Sequence, residues 1–118
     1  MEKTGYQKLR IYELSEELSD LVWITVMEWN HLAQETVGKQ LIRAADSIGA
    51  NIAEGAGRGS KVENRRFVRI ARGSLFEVKH WLRRAYKRNL LTDEQVDRFK
   101  ELIDELTPKI SAYINSLG

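Results

Sequence analysis

The sequence predicts an all-α chain folded as an antiparallel up-and-down four-helix bundle. Apolar residues recur every three or four positions through four segments, helix-starting caps open two of these, and 118 residues contain a single proline. A hydrophobic fraction of 42% with 31% charged residues is ordinary for a water-soluble helical chain and too apolar for a disordered one. The length suits one domain over residues 1–118.

Segment one, about Leu9 to Trp29, carries a seam of Ile11, Leu14, Leu18, Leu21, Val22, Thr25 and Trp29. Tyr12, Trp23 and Met27 lie roughly 100 to 160° around the helix from Ile11, too far to share one narrow core. They imply either a wide core face or a contact between subunits.

Segment two, about Glu35 to Ala56, aligns Leu41, Ala45, Ile48 and Ile52, with Ala44, Gly49, Ala50 and Ala53 beside them. Such small residues let helices approach closely, which would justify Gly49 against its intrinsic cost of about 1 kcal/mol in mid-helix. Arg43, Ser47, Asn51, Glu54 and Arg58 form a polar stripe on the same helix.

Segment three opens on Ser60 and Glu63, the pattern of a capping box, and runs to about Asn89. Gly55, Gly57 and Gly59 therefore stand where one helix ends and a capped helix begins, the usual place for positive φ. A phosphate-cradling reading fails. A Walker loop needs a preceding strand and Lys-Ser/Thr after its last glycine, whereas Gly59 is followed by Ser60 and Lys61; the dinucleotide fingerprint also lacks its strand and has its third glycine too early.

Segment four is marked by Thr92 and Gln95 as a capping box and Leu91 with Val96 as a hydrophobic staple. Val96, Phe99, Ile103, Leu106, Ile110, Tyr113 and Leu117 continue in phase past Pro108, so a bend is expected there rather than a stop.

Charge is strongly segregated. Eleven basic residues between Arg58 and Arg88 face only Glu63 and Glu77, a net +9, while the rest of the chain is net −7. On segment three, Arg65, Arg69, Arg72, Lys79, Arg83 and Lys87 fall within about 80° of one another, with Arg66 and Arg84 beside them. Phe67, Ile70, Ala71, Ser74, Leu75, Val78, Trp81, Leu82, Ala85 and Tyr86 take the opposite arc. Phe76 sits among the cations. Guanidinium forks suit phosphate or carboxylate, and Phe76 could stack on an unpaired base, so nucleic acid, RNA in particular, is one expected partner. An acidic protein surface and plain solvation are the alternatives.

No catalytic set is recognisable. Glu28 with His31 and Glu77 with His80 repeat the Glu-x-x-His spacing of bundle di-metal enzymes. In an up-and-down bundle, however, Glu28 and Glu77 would stand roughly 15 Å apart along the axis, and Glu77 and His80 point away from the core. No metal or other cofactor is expected, and no serine has a histidine at triad spacing. Zero cysteines exclude disulfides and thiolate chemistry. No apolar run reaches the roughly 20 residues that span a bilayer, and no apolar stretch follows "MEKTGYQKLR", so no membrane association is expected and the cytoplasm is the default.

The core "RAADSIGANIAEGAGRGS" followed by "FVRIARGSLFEV", with "YQKLRIYELSEELSDLVW" as the opening helix, resembles the bacterial four-helix-bundle family found as reading frames within intervening sequences of large-subunit ribosomal RNA genes. The matching motif residues are Asn51, Glu54, Gly55, Arg58, Gly59, Phe67, Gly73, Ser74 and Glu77. The chain departs from the family pattern at Asp46, Gly49 and Phe76. The resemblance implies a homo-pentameric ring without enzymatic activity. It extends distantly to the accessory variability determinant of diversity-generating retroelements, a basic pentamer that binds nucleic acid and a reverse transcriptase. The expectation is thus a non-catalytic oligomer that binds nucleic acid through Arg58, Arg65, Arg66, Arg69, Arg72, Phe76, Lys79, Arg83, Arg84 and Lys87. Asn51, Glu54, Trp23 and Met27 are its motif and interface residues. The alternative is an adaptor for an acidic protein such as a reverse transcriptase or another nucleic-acid enzyme.

Overall fold

The computed structural model describes residues 2–3 and 5–118, without the side chain of Lys8. The described residues form a bundle of four helices and contain no strand. A 3-10 turn, Gly5–Lys8, leads into α1, Arg10–Met27. Helix α2 is continuous but not uniform: an α turn at His31–Ala33 passes through a π segment, Gln34–Gly38, into the α-helical stretch Lys39–Gly57. Helix α3 spans Lys61–Lys87 and α4 spans Asp93–Ser116.

Helix α2 begins about one turn before the expected Glu35, because Asn30 caps it: its Oδ1 accepts from the Ala33 amide at 3.0 Å. The π segment fits Gly38 against α1. A Cβ on Gly38 would stand 2.7 Å from Val26 Cγ1, so any larger residue must displace the Val26 side chain or α1 itself. Gln34 Nε2 donates to the Val26 and Met27 carbonyls at 3.2 and 3.1 Å, although the Val26 carbonyl also accepts from the Trp29 amide at 3.0 Å. Nearby, Trp29 Nε1 donates to the Leu90 carbonyl at 2.9 Å and ties the α1–α2 corner to the α3–α4 corner.

Both caps foreseen in the sequence occur, though unequally. Thr92 and Gln95 form the full reciprocal box. Ser60 Oγ accepts from the Glu63 amide at 3.2 Å, but Glu63 turns to Arg66 Nε, 3.1 Å away, instead of returning the bond. Of Gly55, Gly57 and Gly59, only Gly59 has a positive φ, 83°. Gly55 serves close approach instead: a Cβ there would lie 2.8 Å from Asn64 Oδ1 and 3.0 Å from both the Asn64 carbonyl oxygen and Phe67 Cβ. Gly49 packs similarly against Ser15, with its notional Cβ 3.0 Å from Ser15 Oγ. Asn89, at φ 60°, ends α3, and the Leu90 amide bonds back to the Ala85 carbonyl at 2.9 Å, a Schellman closure. Helix α4 runs through Pro108 to Ser116.

The core is apolar and shared by every helix. Leu14, Leu18, Val22, Leu41, Ile48, Ile52, Val68, Leu75, Val78, Leu106 and Ile110 are fully buried. Helices α1 and α3 each pack on α2 and α4, without direct backbone proximity between α1 and α3 among the described residues. The four helices thus enclose one core and leave each an outward face.

Candidate nucleic-acid interface

The inward face of α3 is Phe67, Val68, Ala71, Leu75, Val78, Leu82 and Ala85, all buried. Helical periodicity then puts Arg65, Arg69, Arg72, Lys79, Arg83 and Lys87 on the flank turned outward and toward α4. Arg72 Nη1 reaches Ser111 of α4 at 3.4 Å, and Arg65 approaches Gly118 at the end of α4. From Arg65 to Lys87 the stripe is about 33 Å long at the helical rise.

Its charges are not neutralised within the chain. Arg58 pairs with Glu54 at 3.4 Å and Arg66 with Glu63 at 3.1 Å. Among the described residues, Arg65, Arg69, Arg72, Lys79, Arg83, Arg84 and Lys87 have no carboxylate within ion-pair distance. Of the nine predicted cations, two are thus held in local ion pairs; Arg69, Arg83 and Lys87 are exposed, and Arg65, Arg72, Lys79 and Arg84 are partly exposed.

Phe76 is 56% exposed in the middle of this stripe, and Lys79 Nζ lies 4.9 Å from its ring centroid. Of the residues that periodicity assigns to the inward arc, Ile70 is 44% exposed instead, and so, at 49%, is Tyr86. Tyr86 lines a groove of about 340 Å³ between α3 and α4, with Leu82, Phe99 and Ile103 beneath and Lys79, Arg83 and Lys100 around it. The groove also holds Asp104, whose carboxylate accepts from Lys100 Nζ at 2.9 Å. That hydrogen bond and the charge of Asp104 raise the Lys100 ammonium above its ordinary pKa. The groove was not legible as such, because it joins residues of two helices whose rotation the sequence leaves free. The alternation of Lys79, Arg83 and Tyr86 with the apolar seam was the only signal of it.

The motif residues Asn51 and Glu54 lie elsewhere. Asn51 Nδ2 donates to the Ser47 carbonyl and hydroxyl at 2.8 and 3.0 Å, and Ser47 Oγ meets Ser74 Oγ at 2.9 Å. This part of the polar stripe of α2 is therefore a seam against α3, while Glu54 is exposed beside Arg58.

Trp23 and Met27 are 55% and 60% exposed and line a second groove, between α1 and the start of α2, with Gln34, Lys39 and Ile42. Tyr12 does not join them. It is half-buried against Gly49 and edge-on to Tyr6, and burial, then Glu16, pushes its hydroxyl pKa up. Beside it, Glu16, Asp20 and Asp46 gather at an acidic groove between α1 and α2.

The two Glu-x-x-His pairs are used differently. Glu77 Oε2 accepts from Trp81 Nε1 at 3.3 Å, and His80 packs edge-on to Trp81, while Glu28 and His31 are exposed. Among the described residues no three His, Asp or Glu side chains are grouped to hold a metal ion, and no helix is long and apolar enough to cross a membrane.

The family model described as 23S rRNA-intervening sequence protein matches residues 7–112. A crystal structure of a protein of unknown function from the S23 ribosomal protein family of Bacteroides thetaiotaomicron is similar in fold, with a TM-score of 0.79 at 24% identity, over 89% of this chain and 95% of that one. No curated protein matches the sequence.

Proposed function

This chain belongs to the 23S rRNA-intervening sequence protein family, and we propose that it is a non-catalytic nucleic-acid-binding protein whose α3 face grips phosphates, those of RNA in particular. One observation carries the reading: six cations of α3 share an outward flank and, among the described residues, have no carboxylate partner. Solubility alone asks for mixed signs on a surface, not a row of unpaired guanidinium groups. Planar forks at this density match successive phosphates and supply affinity without reading base identity.

The same proposal includes an up-and-down antiparallel bundle assembled as a homo-pentamer. Contacts along α1 and α2 support the first part, since Ser15 faces Gly49 and the later Val26 faces the earlier Gly38. The exposed Trp23 and Met27 support the second, as large side chains suited to an interface core.

The test is charge reversal at Arg69 and Arg83, both exposed. Binding of a labelled RNA strand should fall more than tenfold, and the slope of log K against log salt should flatten by about 1.5. Unchanged binding by the folded variant refutes the proposal.

A second reading has its own support. The acidic groove at Glu16, Asp20 and Asp46 lies on α1 and α2, and the cationic flank lies on α3 and α4. Two unlike patches on one chain suit head-to-tail ring closure, in which α3 cations would meet carboxylates of the next copy. An acidic protein partner would engage the same cations. Under this reading the charge reversal dissolves a nuclease-resistant complex in native mass spectrometry.

A further inference from the structure

We propose that the α3–α4 face selects single-stranded over duplex nucleic acid, with Phe76 and Tyr86 as stacking platforms and the groove beside Tyr86 holding one unstacked base. This deepens the phosphate-grip reading and rests on it. Two large aromatic side chains stand half-exposed on the stretch of α3 that carries the unpaired cations. An exposed aromatic ring gains little from water, but between cations it offers a π-face next to phosphate anchors, the combination that binds single strands.

The spacing suits that task. Phe76 and Tyr86 are separated by about 15 Å along the helix, too far for one base and suitable for two bases of one strand. Lys79 serves both ends, because its Nζ lies 4.9 Å over the Phe76 ring and its side chain also lines the groove. A volume of about 340 Å³ accommodates a small planar ligand. Leu82, Phe99 and Ile103 supply an apolar floor for a base, and Lys79 and Arg83 supply positive charge for the phosphates on either side. Asp104, the one carboxylate among the groove residues, is engaged by Lys100, so the rim remains cationic. A duplex keeps its bases stacked inward and could use only the charges.

The experiment compares Phe76→Ala/Tyr86→Ala with the wild type by fluorescence anisotropy, using a 20-nucleotide RNA strand and the same sequence as a duplex. The wild type should bind the strand more tightly than the duplex. The double variant should lose about 5- to 150-fold per platform on the strand, with the salt slope kept and duplex binding little changed. Phe76→Trp/Tyr86→Trp should restore strand binding. Both positions are exposed, so the variants should keep the wild-type circular dichroism spectrum and melting behaviour. Equal strand binding by the double variant and wild type, or equal wild-type affinity for strand and duplex, overturns the inference. If charge reversal at Arg69 and Arg83 still abolishes binding in that case, the phosphate grip stands and only the stacking role falls.

Discussion

Replacing Gly55 by alanine should destabilise the bundle, whereas the same change two residues later at Gly57 should not. Both glycines lie at the end of α2, so both gain helix propensity from the added methyl, up to about 1 kcal/mol and less near a terminus. At Gly57 the new Cβ meets nothing within 4 Å. At Gly55 it would stand 2.8 Å from Asn64 Oδ1 and 3.0 Å from the Asn64 carbonyl oxygen and Phe67 Cβ. A rotamer change can move the amide, at the expense of the 3.3 Å bond from Asn64 Nδ2 to the Tyr113 hydroxyl. The carbonyl and Cβ belong to the body of α3, so the helix itself must move. Overpacking of this kind costs about 1–3 kcal/mol, leaving Gly55→Ala less stable than Gly57→Ala by a similar amount. Urea denaturation reads that gap as a difference in midpoint of about 0.5–2 M at unchanged slope. Equal midpoints would refute the close α2–α3 contact on which the placement of the cationic flank depends.

Two further outcomes follow from surface chemistry. The Glu105 carboxyl is held below its ordinary pKa chiefly by the hydrogen bond from Arg10, whose Nε lies 2.9 Å from Oε2, and further by the charges of Arg10 and Lys109. A depressed carboxylate pKa contributes stability that is complete above the unfolded value of about 4.3 and is lost as pH falls through the folded value. Glu105→Gln should therefore lower the melting temperature near neutrality and show a shallower loss below about pH 4.5; parallel acid limbs for variant and wild type would contradict the pairing. Trp23→Ser with Met27→Ser should leave the monomer fold intact, since both side chains are exposed, and reduce the oligomer mass seen by native mass spectrometry; an unchanged mass removes these residues from the subunit contact.

Much of this architecture is written in local pattern. The α4 seam and its Thr92–Gln95 box are read directly because both depend on residues within one or two turns. The two-sidedness of α3 and the outward position of Phe76 follow from helical periodicity alone. What escaped the sequence depends on contacts between helices. The π segment at Gln34–Gly38 belongs to the fit of Gly38 against Val26, and no periodic signal announces it. By angle Tyr12 belongs with Trp23 and Met27, yet Gly49 on α2 opens a place that takes it away from them. The Ser60–Glu63 box is half-formed because Arg66, one turn on, competes for the carboxylate. Exposure of Tyr86 depends on how closely α4 covers the end of α3, a matter of packing that α3 alone does not specify.

The central claim is tested most directly by titrating salt against the affinity of the wild-type protein for an RNA strand. If six α3 cations each engage a phosphate, log K should fall linearly with log salt with a slope of about −4 for a single strand. A flat salt dependence, or no measurable binding at low salt by protein freed of bound polymer, would contradict it.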